Sequence, residues 1–108
     1  MKTTESPTAA RIQLVHPQGK KAVTMDANVY RMLHSEIIHY VAENGPATFA
    51  QIVQAVEIAL QRKGFSIEGS LRWYAEWVKL HLEATKVLER IPKTSPQRYV
   101  VTSSPSNT

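Results

Sequence analysis

The chain has 108 residues, no cysteine, 43% hydrophobic residues and a formal net charge of +4. That length suits one domain with a modest core, and the absence of cysteine excludes disulfides and thiolate metal sites. No apolar run approaches the roughly 18 residues of a membrane span. The start, "MKTTESPTAA", lacks the apolar core of a secretory leader, so a cytoplasmic location is expected.

Residues 1–10 are small and polar and read as a disordered tail, as do 102–108, "TSSPSNT". A single domain is expected over 11–101. In "RIQLVHPQGKKAVTMD", Ile12 and Leu14 alternate with polar residues, Pro17-Gln18-Gly19 marks a turn, and Ala22 to Met25 suggests a returning strand. An N-terminal strand or hairpin follows.

Helix one is predicted after Asp26, whose carboxylate suits an N-cap. Tyr30, Leu33, Ile37, Tyr40 and Val41 recur at helical spacing, and "ENGP" ends the run. Helix two opens on Thr48 and Gln51, the pattern of a capping box. Phe49, Ile52, Val53, Val56 and Leu60 form its apolar face, and Gly64 closes it after Arg62 and Lys63. Helix three is capped by Ser70. Leu71, Tyr74, Val78 and Leu82 share one stripe, Trp73, Trp77, Leu80 and Ala84 a second, and Arg72, Glu76, Lys79, Glu83 and Lys86 a charged ridge. "VLERIPKTSPQRYVVT" then reads as a terminal β-hairpin with a polar tip between two prolines.

This order predicts an α+β chain, mainly α: a winged helix-turn-helix with an N-terminal strand or hairpin, three helices and a C-terminal hairpin wing. A two-stranded hairpin is marginal alone, so the wing must pack on the helices, and the N-terminal strand is available to join it in a three-stranded sheet. Over residues 27–101 the organisation resembles the winged-helix superfamily. "HPQGKKAVTMD", "EGSLRWYAEWVKLHLEA" and "PQR" are similar to a family of small uncharacterised bacterial proteins with a His-Pro-x-Gly-Lys start and a Trp-Tyr-x-x-x-Val-Lys helix. That resemblance spans residues 12–98 and implies no established activity.

The first functional candidate is duplex DNA. In winged helices the third helix enters the major groove and the wing reaches the backbone or minor groove. By position, the groove-facing residues are Ser70, Arg72, Glu76 and Lys79, and the wing contacts are Lys93, Thr94, Ser95, Gln97 and Arg98. Against it, Arg72–Glu76 and Lys79–Glu83 at i,i+4 make a self-neutralising surface, whereas affinity for DNA grows with uncompensated cations.

Trp73 and Trp77 read as core residues packed under the N-terminal hairpin, or else as side chains that stack on bases or anchor a partner. His16, His34, His39 and His81 have no ligand spacing, so no metal is expected. "HPQGKK" lacks the remaining elements of a phosphate loop, and its Lys20 and Lys21 read as a solvated turn or a second basic contact. Glu36, Glu43 and Glu57 read as solvent-facing helix residues. No catalytic constellation stands out, so no enzyme, cofactor or small-molecule substrate is expected. Two functions remain: a duplex-DNA binder, or a protein-interaction module, itself a candidate homodimer. Exposed tryptophans, or glutamates interrupting the basic face, would favour the second.

Overall fold

The computed structural model describes residues 10–102. The expected tails, 1–10 and 102–108, therefore lie outside the described residues except at Ala10 and Thr102. Both are hydrogen-bonded: the Ala10 carbonyl accepts from the Ala27 N–H at 3.2 Å, and the Thr102 N–H donates to the Val87 carbonyl at 2.7 Å.

In chain order the elements are β1 (Arg11–Gln13), β2 (Thr24–Asp26), α1 (Ala27–Asn44), β3 (Ala47–Thr48), α2 (Phe49–Lys63), α3 (Leu71–Ala84), β4 (Leu88–Ile91) and β5 (Arg98–Val101). The arrangement is α+β and winged-helix-like. The helix starts follow from their caps. The Asp26 carboxylate accepts from the amides of Asn28 at 2.9 Å and Val29 at 3.1 Å. Thr48 Oγ1 accepts from Gln51 N–H at 3.2 Å while Gln51 Oε1 accepts from Thr48 N–H at 2.9 Å, a complete capping box. Ser70 Oγ accepts from Trp73 N–H at 3.1 Å. Helix α2 ends at Gly64, whose φ of 66° and ψ of 27° fall in the left-handed region open to glycine.

The core forms where the three apolar helix faces meet. Leu33, Ile37 and Val41 of α1, Ile52, Val56 and Leu60 of α2, and Val78 and Leu82 of α3 are buried together with Leu14, Met25, Leu88 and Tyr99. The hairpin β1–β2 pairs Arg11 with Asp26, Ile12 with Met25 and Gln13 with Thr24, and packs on α1.

The wing is a three-stranded sheet of order β3–β5–β4. Its third strand is β3, not the N-terminal strand, which is occupied by β2. The reason is local. Pro46 cannot continue α1 and favours extended backbone before it. Thr48, as an N-cap, holds φ −81° and ψ 163°. Two extended residues therefore run beside β5, pairing Ala47 with Tyr99 and Thr48 with Arg98. On the other side, Leu88 pairs with Val101 and Arg90 with Tyr99.

Candidate interface on the third helix and the wing

The ridge expected to be solvated is split by burial. Arg72 and Glu76 are exposed, but Lys79 is only 4% exposed. Its ammonium donates to Glu83 Oε2 at 2.6 Å and to Tyr99 Oη at 3.3 Å. Arg90 donates Nε–H to Glu83 Oε1 at 2.6 Å. Tyr99 lies beneath both cations, its ring centroid 4.7 Å from the Lys79 ammonium and 5.8 Å from the Arg90 guanidinium. Glu83 thus sits between two cations and ties α3 to β4, while Lys79 ties it to β5. Desolvation pushes the Glu83 carboxyl up, but the hydrogen bonds from Arg90 and Lys79 and their charges outweigh it and hold its pKa below the ordinary value. The same hydrogen bond raises Arg90, against the opposing effect of burial.

The other expected contacts divide similarly. The Ser70 hydroxyl is engaged as the α3 cap. Arg72 makes no ion pair with Glu76 among the described residues; its guanidinium lies 4.9 Å from the Phe49 ring centroid. In the wing, Thr94 Oγ1 donates to the Ile91 carbonyl at 3.0 Å and accepts from Arg98 N–H at 2.9 Å. Gln97 Nε2 donates to the Ile91 carbonyl at 2.9 Å, so its amide braces the loop from inside. Lys93 and Ser95 are exposed at the tip. Arg98 precedes inward-facing Tyr99, so it takes the opposite face of β5 from Lys79. The structure thus brings Lys79 to Tyr99, and it holds Thr94 and Gln97 within the wing loop.

The outward face of α3 is aromatic instead. Trp73 is 45% exposed, so it is not the core residue expected from its spacing. Trp77 and Leu80 are half-buried beside it. Trp73 meets Trp77 edge-on with ring centroids 6.5 Å apart, and Trp77 meets His16 at 6.2 Å. This places the turn after β1 against α3. The turn is pinned there by Val15, whose N–H donates to His81 Nδ1 at 3.0 Å. His81 in turn stands edge-on to Tyr30 at 5.5 Å, and Tyr30 lies 5.3 Å from His34. Burial lowers the pKa of both His34 and His81, and for His81 the charge of His34 adds to it.

Between that turn, α3 and β4 lies a cleft of about 370 Å³ lined by His16, Pro17, Gln18, Leu80, Glu83 and Arg90. A groove of about 440 Å³ between α1 and α2 carries Glu36 and Lys63, joined as an ion pair, and His39. Glu36 was expected to face solvent; its side chain is 13% exposed and paired with Lys63.

A family model described as a family of unknown function, DUF6958, matches residues 11–99. The chain belongs to that family. No curated protein and no solved structure matches it. The DUF6958 match begins at β1 and ends at Tyr99, so the N-terminal hairpin is part of the family unit along with the helices and most of the wing. In this DUF6958 member no helix among the described residues is long and apolar enough to cross a membrane.

Arg90, Tyr99 and the cleft were not singled out in the sequence as site residues. Glu83 and Arg90 are seven positions apart but belong to different elements, α3 and β4, so helical spacing says nothing of their contact. The i,i+4 spacing of Lys79 and Glu83 was visible, but nothing local says that a tyrosine twenty residues on buries the pair.

Proposed function

We propose that this chain is a non-enzymatic protein-interaction module on a winged-helix-like scaffold. Its docking face is the outer side of α3 with the adjoining N-terminal turn, and a cytoplasmic location is carried over from the sequence. The observation that carries this reading is Trp73, 45% exposed in line with Trp77 and Leu80. An exposed tryptophan on a rigid helix is the kind of anchor that dominates protein interfaces. Lys79, the cation that would sit centrally in a groove-reading helix, is spent on Glu83 and Tyr99. Of the groups expected on DNA, Arg72, Lys93 and Arg98 remain as cations, with Glu76 and Glu89 exposed among them. That charge pattern is weak for a phosphate backbone.

The occupant we assign is a peptide segment of another protein that offers apolar side chains to Trp73, Trp77 and Leu80. The test is selection of displayed peptides on the immobilised full chain, followed by anisotropy of the enriched sequence. Trp73→Ala is expected to weaken that binding about 30-fold, the scale of an interface anchor. A labelled mixed-sequence duplex goes through the same assay from low to physiological salt. Salt-sensitive duplex binding that falls in Lys93→Ala/Arg98→Ala, with no Trp73-dependent peptide, would replace this reading with the DNA one. Concentration-dependent self-association lost in Trp73→Ala would make the partner a second copy.

A further inference from the structure

We propose that the cleft between the N-terminal turn, α3 and β4 is a carboxylate-binding site, and that a partner segment docks an aspartate or glutamate side chain on Arg90 there. This rests on the reading of α3 as a protein-docking face, because it names what lies at one end of that face.

The charge in the cleft does not close. Lys79 and Arg90 share one carboxylate, Glu83, whose two oxygens are both taken. Lys79 is buried, so the leftover positive charge is presented by Arg90, whose side chain is 51% exposed. A guanidinium carries five N–H donors. Among the described residues only Nε–H is used, on Glu83, leaving the terminal nitrogens without a hydrogen-bond partner. Glu83 also fixes the guanidinium in place over the Tyr99 ring, so the remaining donors are held in one orientation. A planar fork with its terminal amino groups unengaged matches a carboxylate in geometry as well as charge.

The surroundings select a peptide carboxylate over a polyanion. The cleft walls include Pro17 and Leu80, and Trp77 stands behind His16. One acidic side chain on a segment that also carries an apolar residue satisfies both walls and cation. A nucleic-acid strand running along α3 would bring its next phosphates toward exposed Glu76, a like-charge contact that disfavours it. His16 Nδ1 accepts from the Gln18 N–H at 3.0 Å, so in the neutral ring the proton sits on Nε2, a second donor on the cleft's rim.

The probes are N-acetyl-Leu-Glu-amide, its Leu-Gln analogue, inorganic phosphate and a mixed-sequence duplex. Each is titrated into the full chain, following the Arg90 Nε–H and Trp77 indole N–H resonances. The Leu-Glu probe is expected to shift both saturably at millimolar concentration, and the Leu-Gln probe to bind at least about tenfold more weakly. Arg90→Gln should abolish the shift. Because that substitution also disturbs Glu83, Gln18→Glu provides a second check. It places a carboxylate on the exposed rim without touching the Glu83 cluster, and is expected to weaken the Leu-Glu probe several-fold while leaving the fold's spectrum intact. Trp73→Ala should leave dipeptide binding unchanged, so loss of the larger docking reading and loss of this site show separately. Equal binding of Leu-Glu and Leu-Gln, or no saturable shift with either, overturns the proposal. Tighter binding of phosphate or duplex than of Leu-Glu, lost in Arg90→Gln, reassigns the cleft to phosphate groups and overturns it as well.

Discussion

Val15 and His81 are joined by a hydrogen bond that only a neutral imidazole can accept: the Val15 backbone N–H donates to Nδ1 at 3.0 Å. Leu14, next to it, is in the core, and His16, on its other side, packs on Trp77. The bond therefore holds the N-terminal turn to α3 at the edge of the aromatic face. The groups packed around the imidazole are Tyr30 and His34 from α1 and Val15 itself. Neither histidine has a carboxylate among those neighbours to stabilise its charged form.

The first prediction follows from the sign of that titration. Burial lowers the folded pKa of His81 below its ordinary 6.5, with the charge of His34 adding to the effect. The unfolded chain therefore takes up the proton first as pH falls. Stability from this group is full above 6.5 and is lost as pH falls through the lowered folded value. Protonation of Nδ1 also removes the acceptor for Val15. The protection factor of the Val15 amide, taken against the intrinsic exchange rate at each pH, should fall as pH drops below 6.5. In His81→Gln, which cannot titrate, that pH dependence should flatten. An unchanged dependence in the variant would assign the effect to another group.

Glu83 should be the least replaceable charged residue. Its side chain is 7% exposed and lies between Lys79, 5% exposed, and Arg90. Glu83→Gln leaves the Lys79 ammonium buried without a counter-charge, so a loss of about 3–5 kcal/mol is expected in urea unfolding. The double variant Lys79→Met/Glu83→Leu should recover most of it, because no orphan charge remains. By contrast, Lys63 is 53% exposed in its pair with Glu36, and Lys63→Ala should cost within about 1 kcal/mol. The lowered carboxyl of Glu83 gives this contribution its pH window. It is present above the ordinary 4.5 and fades as pH falls through the folded value.

A third prediction concerns Thr48, which serves two elements at once. Its hydroxyl caps α2 and its backbone pairs with Arg98 at the sheet edge. Thr48→Ala keeps the backbone pairing but orphans the Gln51 amide, at a cost of about 1 kcal/mol. Circular dichroism with chemical unfolding should show that loss with the same m-value, since no new surface is exposed. A much larger loss would mean that the cap also governs docking of β3.

The helices were legible because their starts are written in a few adjacent residues: Asp26, Thr48 and Ser70 each bond to an amide two or three positions on. The wing hairpin was legible from its alternation and its prolines. Strand β3 was not, since two residues have no period and their extended form comes from Pro46 and the cap. The N-terminal strand, with unused edge, was the natural guess for a third partner. At the site, the Lys79–Glu83 pair was visible as spacing, yet the same spacing describes an exposed ridge. Only the arrival of Tyr99 and Arg90 from the wing separates the two, and that contact is non-local. Trp73 misled for the converse reason. Its spacing puts it with Trp77 on an apolar stripe, but the stripe is wider than the arc the hairpin covers, and His16 reaches Trp77 alone.

That width supplies the last prediction. If Trp73 lies outside the arc, removing it should cost the fold little. Its contacts are edge-on, with Tyr74 at 5.0 Å and Trp77 at 6.5 Å, and each such pair contributes about 0.5–1.5 kcal/mol. Trp73→Ala should therefore lower stability by about 1 kcal/mol, offset in part by the helix propensity of alanine. Leu82→Ala, at a position with no exposure one stripe away, should cost about 2–5 kcal/mol through the cavity it leaves. Trp77, half-buried against His16, should fall between them. Urea midpoints for the three variants order these positions directly. Were Trp73→Ala to match Leu82→Ala, Trp73 would belong to the core and the outer face of α3 would lose its anchor. A small loss for Trp73→Ala leaves a large aromatic side chain held on a rigid helix for reasons the fold does not supply, which is the condition a docking surface requires.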